Sequence, residues 1–249
     1  MPAAQFRPAL LIADLHLSAV RPDALARFLR FMSDAATLSS ALYILGDLFE
    51  YWPGDDVLSH TGTDSVVEKT VAALGSYAHS GRALHVLHGN RDFLLGEKFL
   101  AATGAVLMED STIVRLGGVP TLLLHGDALC TGDIAYQTFK AEVRSAAWKS
   151  SFLARPLGER HAIMAAYRAE SEGLKSTAAP RIMDVDDAAV DAQFVRFAVR
   201  RMIHGHTHRH ARHIIEVNGE RCERWVLPDW YETGGYLAIG RHAPQLRML

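Results

Sequence analysis

Imidazole nitrogens are ligands for divalent metals at neutral pH, and three lie at alternate positions in the run His204-Gly205-His206-Thr207-His208. The run follows a short apolar stretch carrying Val199, Met202 and Ile203. On an extended backbone, alternate residues share a side, and the glycine lets the chain approach whatever the rings bind. Four upstream apolar runs also end in ligand-type residues. Residues 9–13 lead into Asp14-Leu15-His16, and residues 41–45 lead into Gly46-Asp47-Leu48-Phe49-Glu50. Residues 83–87 lead into His88-Gly89-Asn90-Arg91-Asp92, and residues 121–124 into His125-Gly126-Asp127. Asp14, His16, Asp47, Asn90, His125, His206 and His208 therefore offer carboxylate, amide and imidazole donors without a thiolate. That set suits Mn, Fe, Co or Zn. It is too large for one tetrahedral site but sufficient for two metals if one carboxylate bridges them, typically at ~3.5–4 Å.

Such residues converge only if the segments before them lie side by side. A continuous apolar run bounded by polar residues reads as a buried parallel strand, and open α/β sheets place their sites beyond the carboxyl ends of such strands. Between the runs, apolar residues recur at helical spacing over 22–36 (Leu25, Phe28, Leu29, Met32), 65–77 (Val66, Val67, Thr70, Val71, Leu74) and 187–199. Strands alternating with helices predict an α/β fold with helices on both faces of the sheets. From 133 to about 176 the strand pattern gives way to helical spacing of Tyr136, Phe139, Val143, Trp148, Phe152, Leu153, Ile163, Met164 and Tyr167. Pro156 and Gly158 divide this stretch into two expected helices, an insertion standing over the strand ends. The tail over 225–239 alternates weakly, as closing antiparallel strands would.

A chain of 249 residues suffices for one large domain carrying an insertion. Its formal net charge of -2 argues against a general nucleic-acid binder. Cys130 and Cys222 are the whole cysteine complement, which fits a reducing cytosol rather than a disulfide scaffold. No stretch approaches the ~20 apolar residues of a spanning helix, and residues 1–8 lack an apolar signal core.

The pattern Asp-x-His, Gly-Asp, Gly-Asn, a lone His and Gly-His-x-His resembles the calcineurin-like metallophosphoesterases. It is matched by Asp14-Leu15-His16, Gly46-Asp47, Gly89-Asn90, His125 and Gly205-His206-Thr207-His208. The resemblance implies a four-layer α/β sandwich of two mixed β-sheets flanked by helices, with a helical cap inserted at about 133–178 of a single domain 1–249. It also implies two divalent metals, most readily Mn²⁺. Asp14, His16, Asp47 and His208 would hold one, and Asp47, Asn90, His125 and His206 the other. The longer runs at 12–17, 45–50, 88–96, 125–131, 182–185 and 203–209 are similar to the UDP-2,3-diacylglucosamine diphosphatase family of lipid A synthesis. That similarity implies hydrolysis of the substrate pyrophosphate by water attack at the α-phosphate, giving UMP and 2,3-diacylglucosamine 1-phosphate.

Many metallophosphoesterases carry His after the Gly-Asn, where it can protonate an alkoxide. Here the residue is Arg91, which stays charged and cannot act as a general acid. Arginine suits a leaving group that is already a weak base, half of a pyrophosphate, and can stabilise the transferring phosphoryl group. Asn90 and Arg91 are thus the expected catalytic residues. The resemblance adds Asn90, Arg91, Asp133, Ser171 and His206 as substrate contacts. Two later family positions are Lys175 and Ala178, where the second lacks the family lysine, so Lys175 is expected to supply that charge. A soluble enzyme with a diacyl substrate is expected on the cytoplasmic face of the inner membrane as a peripheral protein, touching it through Phe152, Leu153 and Leu157 beside Lys149 and Arg155. No obligate protein partner is inferred. The alternatives are a pyrophosphatase of the same fold acting on another nucleotide-sugar or dinucleotide, and a non-catalytic scaffold, which should lack ligands that are all present here.

Overall fold

The computed structural model describes residues 7–60, 65–177 and 184–249, and for 170–177 the backbone alone. Strands β1 (Ala9–Ile12), β2 (Ala41–Leu45) and β3 (Ala83–Leu87) are the first three apolar runs, paired in parallel in that order. A short β4 (Val106–Leu107) follows β3 at one edge. At the other edge β10 (Gly235–Ile239) runs antiparallel to β1 and carries β11 (Gln245–Met248) outside it. The second sheet has the order β5 (Thr112–Leu116), β6 (Val119–Leu123), β7 (Arg201–His204), β9 (Glu220–Val226), β8 (Ala211–Val217). Its β6, β7 and β9 are parallel, with antiparallel strands at both edges.

The alternation of side chains along β1 explains the layering. Leu10 and Ile12 join a core that includes Phe28 and Phe31 of helix α1 (Pro22–Ser33) and Leu74 of helix α2 (Ser65–His79). Leu11 and Ala13 point the other way and meet Leu116, Leu123, Ile203 and Trp225 of the second sheet. The far face of that sheet, through Leu122, Leu124 and Met202, packs on Val190 and Phe194 of helix α7 (Asp187–Phe197). The result is helix, sheet, sheet, helix, as expected. Another helix, α3 (Glu97–Thr103), closes the first layer through buried Phe99.

Helix ends follow local chemistry. Helix α1 begins at Pro22, whose missing N–H is no loss in a first turn, with Asp23 at its positive end and Arg30 at its negative end. It stops at Ser33 and passes into a separate 3-10 turn, Ala35–Leu38, so the helix expected over 22–36 is shorter. The Asp186 carboxylate caps α7 by accepting from the Ala189 N–H at 3.0 Å.

The insertion has three helices rather than two: α4 (Ile134–Val143), α5 (Ala146–Leu153) and α6 (Leu157–Thr177). The additional break lies at Ser145, whose hydroxyl accepts from the Trp148 N–H at 3.2 Å and starts a new helix. Gly158 does not divide anything; it sits in the first turn of α6, and the break before it falls at Pro156. Phe152 is buried and stacks on Trp148 at 4.6 Å, so it offers nothing to a membrane, whereas Leu153 is exposed. The segment 227–234, expected to be strand, is a loop between β9 and β10. No helix among the described residues is long and apolar enough to cross a membrane.

Candidate metal centre

Strands β1, β2 and β7 end by turning the backbone sharply, and the turning residues are among those the sequence singles out. Asp14, His16, Asp47, His206 and His208 have φ of 55°, 49°, 53°, 69° and 56°. Left-handed backbone at a non-glycine residue costs on the order of 1–3 kcal/mol and persists where surrounding structure enforces it. The alternation argument therefore fails locally. Asp14 and His16 do not project together from an extended strand, nor do His206 and His208. The turns aim them instead.

Asp14, His16 and His208 form one group. His16 Nε2 stands 3.3 Å from His208 Nε2, which lies 3.6 Å from Asp14 Oδ1. Asn90, His125 and His206 form a second, in which Asn90 Oδ1 is 2.9 Å from His125 Nε2 and 3.0 Å from His206 Nδ1. Asp47 lies between them. Its Oδ2 is 3.7 Å from His16 Nε2 and 3.7 Å from His125 Nε2, while its Oδ1 accepts the Arg91 N–H at 2.8 Å. Asp14 and Asp47 also gather with His125 closely enough to share a cation.

Two glycines let these groups approach. A Cβ on Gly89 would sit 2.0 Å from Asp47 Oδ1, and one on Gly205 would sit 2.3 Å from Asp14 Oδ2.

The donor set fits divalent metals on evidence internal to the fold. Asp14 is fully buried, and its Oδ1 accepts no hydrogen bond among the described residues; the same holds for His16 Nδ1. Imidazole nitrogens face each other in one group and crowd a single amide oxygen in the other, an arrangement that concentrates lone pairs around two points. Burial disfavours charge on Asp14, but attraction to His208 and the other nearby imidazoles outweighs it and holds the carboxyl well below its usual range. Burial pushes His16 down, and burial together with His125 pushes His206 down to about 3, so both rings are neutral donors. His125 goes the other way, up to about 9, because Asp47, Asp127 and Asp14 outweigh its burial.

Several supporting residues escaped the reading of the sequence. Asp92 is buried and accepts backbone N–H groups of Leu48 and Gly89, both at 2.8 Å, tying the β2 and β3 turns together. It stood in view as the fourth residue of Gly-Asn-Arg-Asp. Asp127, buried after His125, accepts the Tyr136 hydroxyl at 2.6 Å and pairs with Lys140 at 2.8 Å. Tyr136 stacks over His206 with ring centroids 6.1 Å apart, and the Arg144 guanidinium donates to the Gly89 carbonyl at 2.9 Å. Residues 136, 140 and 144 recur at i, i+4 and i+8, a polar stripe docking α4 on the metal loops. Glu50 is buried beside His16, with Arg21 and Arg168 of α6 paired to its carboxylate. Tyr231 of the 227–234 loop stacks on His16 at 5.1 Å and on the Arg21 guanidinium at 4.1 Å. His204, first of the three alternate imidazoles, is structural: its Nδ1 pairs with the Gly205 carbonyl at 2.8 Å and its Nε2 takes an Arg224 N–H at 3.0 Å.

Of the expected substrate contacts, Asp133 caps α4 by accepting the Tyr136 N–H at 2.9 Å. Ser171 and Lys175 are on the last turns of α6, where backbone alone is described, and Ala178 lies outside the described residues.

Comparison with known proteins gives two results. The family model for calcineurin-like phosphoesterases matches residues 7–210. The UDP-2,3-diacylglucosamine hydrolase of Aromatoleum aromaticum is 45% identical over 229 residues, covering 92% of this chain and 91% of its own length. That of Xanthomonas campestris pv. campestris is 44% identical over 247 residues, covering 96% and 98%. The enzyme of the same name from Marinobacter nauticus is 43% identical over 235 residues, covering 94% of each chain.

Proposed function

Because the chain belongs to the calcineurin-like phosphoesterases, and to the UDP-2,3-diacylglucosamine hydrolases within them, we propose that it hydrolyses the pyrophosphate of UDP-2,3-diacylglucosamine in lipid A synthesis. The products are UMP and 2,3-diacylglucosamine 1-phosphate. The observation that carries the reading is the convergence of seven donors on two points with the Asp47 carboxylate between them.

Asp14, His16, Asp47 and His208 would hold one divalent ion, and Asp47, Asn90, His125 and His206 a second; the donors suit Mn²⁺ among other divalent ions, and the family resemblance favours it. Bound there, such ions supply Lewis-acid polarisation of a phosphoryl oxygen and a water nucleophile at neutral pH. The chain's own residues do the rest. Arg91 is anchored by its N–H on Asp47, and its positive field reaches His16, Asp47 and Glu50, so its charge is aimed at the centre. There it stabilises the equatorial oxygens of the transferring phosphoryl group. It delivers no proton, and the departing sugar phosphate needs none. Asn90, fixed between His125 and His206, keeps its amide oriented toward the same phosphate.

The three helices over 134–177 act as a cap. Asp127 and Glu50 bind it to the metal loops through Tyr136, Lys140 and Arg168. Asp133, Ser171, Lys175 and His206 contact substrate under this cap, Lys175 carrying the charge for which Ala178 is too short. Exposed Leu153 beside Lys149 and Arg155 supports peripheral contact with the cytoplasmic face of the inner membrane. The purified protein with Mn²⁺ should turn over diacylated UDP-glucosamine far faster than the deacylated compound, and chelator should abolish both. Equal turnover of the two would transfer the assignment to a nucleotide-sugar pyrophosphatase of the same fold.

A further inference from the structure

A substrate cleaved at its pyrophosphate must send its two halves in different directions from the metal loops. One side of the site is walled by α4 and α6. On the other, a cavity of about 410 Å³ opens beside His208, between the 207–210 turn and the first residues of β8. This is within the ~300–1,000 Å³ typical of small-ligand sites.

Most of its lining residues carry polar or charged groups. Arg209 pairs with Asp184, and Arg224 is nearly buried with one N–H on His204. His210 and His213 add imidazoles, and Thr207 adds a hydroxyl. Two guanidinium groups line the cavity with the Asp184 carboxylate, Asp187 acts on Arg224 and His213 from behind, and the result is a mixed set of charged donors and acceptors. Apolar lining is confined to Ala211 and Val226. An acyl chain placed here would desolvate charged groups and give them no partner. A nucleotide matches these walls: carbonyl oxygens to accept from guanidinium and imidazole N–H groups, an N–H to add to the Asp184 carboxylate, and a phosphate that reaches His208.

We infer that this cavity, formed by Asp184, Thr207, Arg209, His213 and Arg224 beside His208, binds the uridine monophosphate half of the substrate. The assignment rests on the proposed pyrophosphate hydrolysis and adds to it the side on which the nucleotide lies. His213 on β8 lies directly opposite Arg224 on β9 in the strand register, so the two present a paired edge to the base or ribose. Ala211 sits at the mouth of β8, where a large side chain would occupy the space.

The test is equilibrium binding of UMP, and separately of 2,3-diacylglucosamine 1-phosphate, to the Mn²⁺-loaded full chain and to Ala211→Trp and His213→Ala. UMP affinity should fall at least tenfold in Ala211→Trp and several-fold in His213→Ala, with affinity for the lipid product within twofold of wild type. Uridine lacking phosphate should compete with UMP in the wild type. Unchanged UMP binding in folded variants, or selective loss of the lipid product, overturns the inference. So does competition by inorganic phosphate with none by uridine. If Ala211→Trp fails to melt cooperatively, His213→Ala decides alone. Failure of the wild type to cleave UDP-2,3-diacylglucosamine would instead strike the proposed function, and UMP binding would still report on the cavity.

Discussion

The Arg91 backbone N–H donates to Asp47 Oδ1 at 2.8 Å, and this bond turns the other carboxylate oxygen, Oδ2, toward both imidazole groups. One peptide group thus makes Asp47 a bridge and sets its own side chain beside it.

Asp47→Ala should therefore remove binding at both points rather than at one. Ligand that binds only the folded chain raises its melting temperature. Mn²⁺ should raise that of the wild type and leave that of Asp47→Ala nearly unchanged, with turnover lost. Retention of two metals per chain and normal turnover in the variant would remove the bridging assignment.

Arg91→Ala keeps the peptide N–H that holds Asp47 and removes only the guanidinium. Metal content should stay at the wild-type level while kcat falls about 10²–10³-fold, as when a preorganised transition-state donor is deleted. Loss of metal from this variant would show that the arginine supports Asn90 instead.

The pH dependence of metal binding follows from His125. Its burial opposes protonation, but Asp47, Asp127 and Asp14 raise its pKa from 6.5 to about 9 in the metal-free protein. The sign is that of a group favoured in its charged form. The metal-free fold gains stability that is full below pH 6.5 and is lost as pH rises through about 9. A metal needs the neutral ring, so it displaces this proton. Mn²⁺ affinity should rise about tenfold between pH 7 and 8 and level off as pH approaches 9. Titrations at pH 7 and 8 with equal midpoints would contradict this.

The ligand set and the layered sandwich could be read from the chain because both depend on short-range pattern. Runs such as 41–45 are apolar throughout since both their faces are buried, and the ligands follow them directly. Three kinds of feature could not be read this way. The left-handed turns at Asp14 and Asp47 are imposed by packing against neighbouring loops; Asp tolerates that backbone better than most residues, but this marks no particular Asp for it. Glu50 and Arg168 are 118 positions apart in sequence, and only the docking of α6 brings them to 2.8 Å. Edge strand β8 alternates because one of its faces is exposed, and β4 has only two residues, both exposed, too few to stand out. Phe152 is buried where the spacing suggests a membrane contact, because helical spacing does not say which side of α5 meets the core.

The most direct measurement is hydrolysis of UDP-2,3-diacylglucosamine by the Mn²⁺-loaded protein in ¹⁸O-water, with mass analysis of both products. The account predicts one ¹⁸O in UMP and none in 2,3-diacylglucosamine 1-phosphate, since water attacks the uridine-side phosphorus and the sugar phosphate leaves. Label in the sugar phosphate, or no cleavage by protein with both metal sites filled, would contradict it.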